Sequence, residues 1–147
     1  DSSARQIDAP TMPRTKKIHE LWKEKGAGGI PKKQDMDAST VKELMPYIYI
    51  INIHDNGADF SMRFMGSAIV QSVGMDYTGI KASENKTPKS SWRTAVYKMV
   101  YESRKPVFTR VPLSDFKRDH IITECALLPL ANRHGEFNMI LCCATPL

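Results

Sequence analysis

The segment from Phe60 to Gly79 constrains the fold more than any other part of the chain. Residues 60–65 alternate as in a half-buried strand and place three apolar side chains on one face, Phe60, Met62 and Phe64. Gly66 ends the strand, and Ser67 to Val73 is predicted to be a short helix that leads into a polar, glycine-bearing stretch. An earlier strand, Tyr47 to Ile53, is separated from this one by the turn residues Asp55-Asn56-Gly57. The segment therefore predicts a hairpin followed by helices, with no recognisable catalytic motif.

The remaining pattern predicts an α/β (α+β) fold. A long helix begins at Thr87 and Pro88 and ends before Pro106, with an apolar stripe of Trp92, Val96, Met99 and Val100. Three more strands follow at Val107 to Leu113, Ile121 to Leu130 and Phe137 to Ala144. We expect one five-stranded antiparallel sheet with helices on one face.

An N-terminal extension precedes this unit. Residues 1–13 are polar with two prolines and are predicted to be a poorly ordered arm. An amphipathic helix is predicted from Arg14 to Lys25, and glycines and Pro31 form a linker after it. We divide the chain into residues 1–33 (flexible arm, helix and linker) and the domain 34–147, which opens with a short helix from Ala38 to Leu44.

Charge is concentrated in the extension. Residues 1–33 hold eight Lys/Arg and four Asp/Glu, while the other residues hold 13 and 12, so +4 of the net +5 lies before residue 34. A basic segment of this kind could bind phosphates or anionic lipid, but a solvated helix face is the favoured interpretation. The first reading gives an alternative function, a basic scaffold or nucleotide- or nucleic-acid-binding protein that acts through residues 14–33.

Reactive residues do not form a recognisable centre. Cys125, Cys142 and Cys143 have no metal-binding spacing, and the four histidines include no pair at i, i+4. We expect no metal site, and buried reduced thiols in a cytoplasmic protein that has no membrane span or signal peptide. The one polar cluster to consider for catalysis, Ser114-Asp115 with Asp119-His120, is interpreted as a polar hairpin loop on the surface. We therefore expect that the protein is not an enzyme.

This order of elements resembles the PAS family, and more narrowly the single-domain PAS proteins common in alphaproteobacteria. Their motifs are a Trp-bearing N-terminal helix, Gly-x-Pro, Leu-Pro-x-Ile-x-Ile, Phe-x-x-Arg-φ-x-Gly-[Ser/Thr], Gly-x-Asp-x-Thr-Gly and Glu-x-x-x-φ-Pro-Leu. The corresponding residues here are Trp22, Gly29-Ile30-Pro31, Met45 to Ile50 (with Met in place of Leu), Phe60 to Ser67, Gly74 to Gly79, and Glu124 to Leu130.

The resemblance implies a sensory or interaction module of bacterial signalling rather than an enzyme. Light-sensing members carry an Asn-Cys-Arg-Phe-Leu-Gln-like helix beside flavin, and haem-binding members generally carry a histidine on the long helix. This chain has neither feature, so we expect no cofactor and a colourless protein.

The PAS fold also implies a cavity between the sheet and the helices. The predicted ligand-binding residues are Met62, Phe64, Ile69, Trp92, Val96, Val100 and Cys125. The alternative is that these side chains fill a core without a ligand.

Other residues are interpreted structurally. A charged pair of Arg63 and Glu124 across the sheet surface would seat the N-terminal helix. Asp76, Tyr77 and Thr78 would form a turn before the long helix.

The apolar stripe of the N-terminal helix, Ile18, Leu21 and Trp22, must be covered either by the chain's own sheet or by a second subunit. Flanking helices of PAS proteins commonly pack at subunit interfaces, so we expect a homodimer through this stripe, with a small-molecule ligand or a signalling protein as further partners and no nucleic acid.

Overall fold

The computed structural model describes residues 4–84, 90–113 and 118–147. Within these ranges the strands are β1 (Arg5–Ile7), β2 (Ile48–His54), β3 (Asp59–Met65), β4 (Val107–Leu113), β5 (Arg118–Ala131) and β6 (Phe137–Pro146). The α-helices of the same ranges are α1 (Pro13–Gly26), α2 (Ser39–Leu44), α3 (Ser67–Val73) and α4 (Ser90–Ser103). Short 3-10 turns lie at Lys33–Met36, Met45–Tyr47, Asp55–Gly57 and Ala82–Glu84.

All of these strands form one antiparallel sheet in the order β1-β4-β5-β6-β2-β3. The hairpin β2–β3 and the meander β4–β5–β6 lie where the sequence predicts them, and the α+β class is confirmed. The strand that comes last along the chain, β6, lies in the middle of the sheet and joins the meander to the hairpin through its pairing with β2.

The additional strand β1 corrects the prediction of a poorly ordered arm. It pairs with β4 through Arg5↔Arg110, Gln6↔Thr109 and Ile7↔Phe108. Three residues are too few to show a recognisable alternation, and the partner lies far along the chain, so local patterning could not reveal this strand. Residues 4–33 thus add a strand and a helix to the same sheet, and residue 33 does not separate a flexible arm from the domain.

Helices cover both faces of the sheet rather than one. One face packs against α1 and α2 in a cluster that includes Ile18, Trp22, Val41, Leu44, Ile48, Ala126, Leu128 and Leu141. The other face packs against α3 and α4 in a cluster that includes Ile69, Val96, Tyr97, Val100, Leu127, Ile140 and Cys142. The sheet therefore has an apolar layer on each side. The layer on the first face includes Ile18 and Trp22 of α1, which are buried within their own chain. In residues 4–84, 90–113 and 118–147, no helix is long and apolar enough to span a membrane.

Helix α4 is rotated about its axis relative to the predicted stripe. Its buried residues are Val96, Tyr97 and Val100, whereas Met99 is 40% exposed and Trp92 is only half-buried. The helix ends before Pro106, as predicted. The predicted first residues, Thr87 and Pro88, lie outside the described ranges.

Gly66, at the junction between β3 and α3, is fixed by a close backbone contact. Its N–H donates to the Ile48 carbonyl at 2.7 Å, and a Cβ at this position would lie 2.2 Å from the Met45 carbonyl oxygen. Only glycine lets the chain pass this close to the Met45–Tyr47 turn. The turn and the start of α3 are therefore held together by backbone contacts.

Candidate functional site

A cavity of about 170 Å³ lies between the sheet and the helices α3 and α4. Strand residues from β2 to β6 form its floor, and α3, α4 and the segment 77–82 form its walls. Lys81 lines it and is exposed, so the cavity reaches the surface beside this segment. For comparison, an apolar cavity of about 150 Å³ holds a benzene molecule. The cavity can therefore hold a small organic molecule.

Five of the seven predicted ligand-binding residues line this cavity, namely Met62, Ile69, Trp92, Val96 and Cys125. Val100 is 0% exposed and belongs to the apolar layer around the cavity without lining it. Trp92 is half-buried because it stands in the cavity wall rather than inside a filled core. Binding of a ligand by these residues stays a prediction.

Phe64 lies away from the cavity, since it packs on the opposite face of the sheet with the cluster beneath α1. The pairing of β2 with β3 runs from Ile50↔Phe64 directly to Ile51↔Met62, which leaves Arg63 as an extra residue. A β-bulge of this kind reverses the alternation beyond it. The predicted shared face of Phe60, Met62 and Phe64 is therefore wrong at its last member.

The sequence reading missed several cavity residues, among them Arg93, Tyr97 and Thr109. On α4, Arg93, Val96, Tyr97 and Val100 follow the spacing i, i+3, i+4, i+7, which is the helical period. That spacing was a usable signal. A stripe defined by apolar residues alone does not include these two positions, because it favours Trp92 and Met99 over an arginine and a tyrosine.

Burial keeps the tyrosine and cysteine side chains around the cavity neutral. Burial raises the pKa of Tyr97, although the charge of Arg93 opposes the shift. Burial likewise raises the pKa of the Cys125 thiol, which lines the cavity, and places the pKa of Cys142 well above its ordinary value. Because a thiolate is the reactive form of cysteine, these thiols are poor nucleophiles. Tyr97 stays protonated and keeps its O–H as a hydrogen-bond donor.

One Ser–His pair touches the cavity. Ser61 lines it, and its Oγ lies 2.7 Å from Nε2 of His54. A catalytic pair normally needs a third group that orients the histidine. Across the described ranges no carboxylate is hydrogen-bonded to His54. The pair therefore fixes the end of the hairpin and lacks the arrangement of a nucleophile and its base.

Glu124 is buried beneath the start of α1, where it seats the N-terminal segment. Its Oε2 accepts hydrogen bonds from the N–H groups of Thr11 and Met12 at 2.8 and 2.9 Å and from the Thr15 hydroxyl at 2.5 Å. Its Oε1 accepts one from the Thr11 hydroxyl and forms an ion pair with Arg110 at 3.4 Å. Burial raises the pKa of Glu124, but these hydrogen bonds outweigh it and bring the pKa to about 2.

The predicted pairing of Glu124 with Arg63 is wrong, although the predicted role of Glu124 in seating the helix is supported by these contacts. Arg63 lies on β3, is exposed and donates to Asn52 Oδ1 at 3.4 Å. Strands β3 and β5 are separated by β6 and β2 in the sheet. Alternation assigned both residues to the outer face but could not give the strand order, which puts Arg110 beside Glu124 instead.

The stripe of α1 is covered by the chain's own sheet. Ile18 is 0% exposed, Trp22 is 9% exposed, and Leu21 packs against the same cluster. The Trp22 indole N–H donates to the Pro129 carbonyl at 2.7 Å. Of the two coverings that the sequence left open, the structure has the intramolecular one. The stripe is therefore not free to form a dimer interface.

The segment that follows α3 lies along the outer edge of β3. Asp76 Oδ1 accepts from the N–H and hydroxyl of Thr78, which forms the expected turn. The Gly79 N–H then donates to the Met62 carbonyl at 2.7 Å, and the Met62 N–H donates to the Ile80 carbonyl at 3.1 Å. This segment covers an otherwise open strand edge and forms one side of the cavity mouth.

No group of histidine, cysteine or carboxylate side chains in the described part of the chain could hold a metal ion. The three cysteines are free and buried. Of the polar cluster considered from the sequence, Ser114 and Asp115 lie outside the described ranges.

Comparison with known proteins agrees with this architecture. A family model described as "PAS domain" matches residues 11–145. The solved structure of an RNA-binding light-oxygen-voltage receptor is similar with a TM-score of 0.54 and 14% sequence identity, over 99% of this chain and 39% of that one. The chain thus spans about two-fifths of that receptor, and a likeness at this identity concerns the fold alone. No curated protein matches the chain. Since the family model covers nearly the whole sequence, the chain belongs to the PAS domain family.

Proposed function

We propose that this protein is a non-enzymatic sensory or interaction module of bacterial signalling that binds a small molecule in the cavity between its sheet and α3/α4. The observation that carries the proposal is the cavity of about 170 Å³, because well-packed interiors leave few voids larger than a water molecule. Membership of the PAS family supports a sensory or interaction role. The neutral thiols and the incomplete Ser–His pair support a role without catalysis.

Such a module would pass on its signal by binding a partner protein or by forming a homodimer. Since α1 uses its stripe on its own sheet, a dimer would have to use another surface. Light scattering over a range of protein concentrations tests this part of the proposal. A monomer at the highest concentration would exclude the homodimer and leave a protein partner as the route. The three free buried thiols support the cytoplasm as the location.

The experiment for the cavity uses toluene, a small neutral probe, and the substitution Ala144→Phe. Ala144 is on β6, lines the cavity and is only 9% exposed, so a phenyl group at this position would fill the cavity. We expect toluene to raise the melting temperature of the wild type and to leave that of Ala144→Phe unchanged. Ala95→Phe, on the exposed side of α4, is the matched control and should respond as the wild type does.

Two results would refute the proposal. One is a wild type that neither binds toluene nor carries a small molecule in native mass spectrometry after purification. The other is an Ala144→Phe variant that folds, as judged by circular dichroism, and still binds toluene with wild-type affinity.

The alternative function through a basic N-terminal segment has no specific contact in its favour. Arg14 is engaged within the chain, since its guanidinium carbon lies 3.7 Å from the centre of the Tyr47 ring and its Nη1 donates to Thr145 at 3.0 Å. The exposed lysines of α1 share the helix with exposed Glu20 and Glu24. A solvated helix face accounts for this arrangement.

A further inference from the structure

Two tyrosines from different elements form a polar point in the lining of the cavity. Tyr49 lies on β2 and Tyr97 on α4, and both side chains line the cavity. The Tyr49 hydroxyl interacts with the Tyr97 hydroxyl and with the Cys142 thiol. The Tyr97 ring packs against Phe60, with 5.4 Å between the ring centres, so the ring that carries its hydroxyl is fixed on both sides of the contact.

The hydrogens of this group are used inside the protein. Both tyrosines and the thiol are protonated, so each has one hydrogen to donate. The Cys142 thiol donates to the Ile140 carbonyl at 3.9 Å, and a carbonyl can only accept. The contact between Cys142 and Tyr49 is then donated by Tyr49, and the contact between the tyrosines is donated by Tyr97. What remains at the two phenol oxygens is the capacity to accept.

This capacity remains if the chain of hydrogen bonds runs in the opposite direction. Donation from the thiol to Tyr49 and from Tyr49 to Tyr97 would free the hydrogen of Tyr97, but each phenol oxygen would still have a lone pair that no hydrogen occupies. A ligand that donates a hydrogen bond is therefore matched in both arrangements. A ligand that only accepts is matched in one of them.

A second polar contact in the lining is arranged in the same way. The Thr123 hydroxyl donates to the Val111 carbonyl at 3.1 Å and lies 3.9 Å from the Cys125 sulfur. Since the hydroxyl hydrogen is used on the carbonyl, the Cys125 thiol is the donor to Thr123. Thr123 and Cys125 both line the cavity, and neither has a hydrogen left for a ligand. These two residues therefore also favour a ligand that donates.

We propose that the cavity binds an aromatic molecule with one neutral O–H or N–H donor, which the phenol oxygens of Tyr49 and Tyr97 accept. This inference rests on the proposed function, because it names the chemical class of ligand for the same site. Phe60 and Trp92 line the same cavity and offer aromatic surface to the ring of the ligand. A cationic donor does not belong to this class, because the described lining contains no carboxylate that would balance its charge.

The size of the cavity limits the ligand to a small ring system. The volume of about 170 Å³ is larger than the roughly 150 Å³ that holds benzene. The mouth beside Lys81 lets one end of a larger ring extend towards the surface. A single ring or two fused rings therefore fit, whereas long-chain molecules are too large to be enclosed.

The test compares indole with benzofuran, in which an oxygen replaces the N–H of the same bicyclic skeleton. Isothermal titration calorimetry on the full chain should show indole binding about 2- to 10-fold more tightly, as expected for the net gain of one hydrogen bond. A cavity without suitable acceptors would give the opposite order, because indole would lose its hydrogen bond to water without replacing it.

The double variant Tyr49→Phe/Tyr97→Phe removes both phenol oxygens and keeps both rings. Its preference for indole over benzofuran should be lost, because no oxygen remains at this point to accept from the N–H. Tyr101→Phe is the matched control and should keep the full preference. Tyr101 lies on the same helix as Tyr97, but it packs against Phe137 at 5.8 Å between ring centres and does not line the cavity.

The possible outcomes separate this inference from the proposed function. Indole binding no more tightly than benzofuran, in a wild type that also binds toluene, would overturn the inference and leave the cavity proposal standing. Absence of binding by toluene and by both bicyclic compounds would overturn both. A full preference for indole in the folded double variant would also overturn the inference. Should the double variant fail to fold, a reduced preference in either single variant would support the inference, and a full preference in both would overturn it.

Discussion

Replacing Glu124 by glutamine should detach the N-terminal segment from the sheet. Glu124 has no exposed side-chain surface, and all of its partners are donors: Thr11, Met12, Thr15 and Arg110. Glutamine has one acceptor oxygen and one NH2 group, so in either orientation the NH2 group would face donors and lose their hydrogen bonds. The substitution also removes the charge opposite Arg110.

The size of the effect follows from these contacts. A hydrogen bond to a charged group contributes about 1.5–3 kcal/mol net, and breaking a buried ion pair costs about 3–5 kcal/mol. The lowered pKa of Glu124 leads to a similar value for the stabilisation by its charge, since a shift from 4.5 to about 2 corresponds to roughly 3 kcal/mol. We therefore expect the free energy of unfolding of Glu124→Gln to fall by about 3–5 kcal/mol at pH 7.

The pH dependence has a defined sign. Because folding lowers the pKa of Glu124, its charge stabilises the protein fully above pH 4.5, and this stabilisation is lost as the pH falls towards 2. The difference between the wild type and Glu124→Gln should therefore be largest at neutral pH and shrink as the pH falls from 4.5 towards 2.

Urea denaturation at several pH values measures this difference. Hydrogen exchange of the backbone amides in β1 and α1 would report detachment of the segment directly. Glu102→Gln, an exposed change on α4, is the control and should alter stability by no more than about 0.5 kcal/mol. A loss below about 1 kcal/mol at pH 7, or a loss that does not depend on pH, would refute the reasoning.

Three further experiments test separate features. Gly66→Ala should lower the free energy of unfolding by about 3 kcal/mol or more, because its Cβ would lie 2.2 Å from the Met45 carbonyl oxygen. Gly29→Ala is the control and should be close to neutral in the same denaturation assay, because the nearest neighbour of its Cβ would lie at 3.6 Å. Trp92→Ala should cost only about 1–2 kcal/mol, since this side chain is half-buried in the cavity wall; a loss of about 4 kcal/mol would mean that the cavity is filled by packing. Protein expressed with ample haem and riboflavin should be colourless, and a visible absorption band would contradict this expectation, which rests on the sequence.

The parts of the fold that rest on local patterns could be predicted from the sequence. Strands β2 to β6 and helices α1 to α4 follow apolar alternation, helical spacing and the turn residues between them. What local patterns do not contain is strand order. For that reason the sequence predicts Arg63 as the partner of Glu124, whereas the partner is Arg110, and it does not predict β1.

Within the site, errors arose where one residue changed the geometry. The extra residue Arg63 in β3 moves Phe64 to the opposite face, and a bulge in an antiparallel pair has no reliable sequence signal. On α4 the spacing did point to Arg93 and Tyr97, but polarity hid them. Polar residues that line a cavity are difficult to distinguish from surface residues until the cavity itself is known.

The central position of β6 has a consequence for the order in which the protein can fold during synthesis. In the described part of the sheet, the hairpin β2–β3 and the pair β4–β5 do not pair with each other, and β6 lies between them and pairs with both β2 and β5. Until residues 137–146 have left the ribosome, the facing edges of β2 and β5 remain open, and the apolar residues on both sides of the sheet lack a continuous layer. Such open edges favour pairing with other chains. Nascent chains that stall before β6 should therefore be the species most dependent on chaperones.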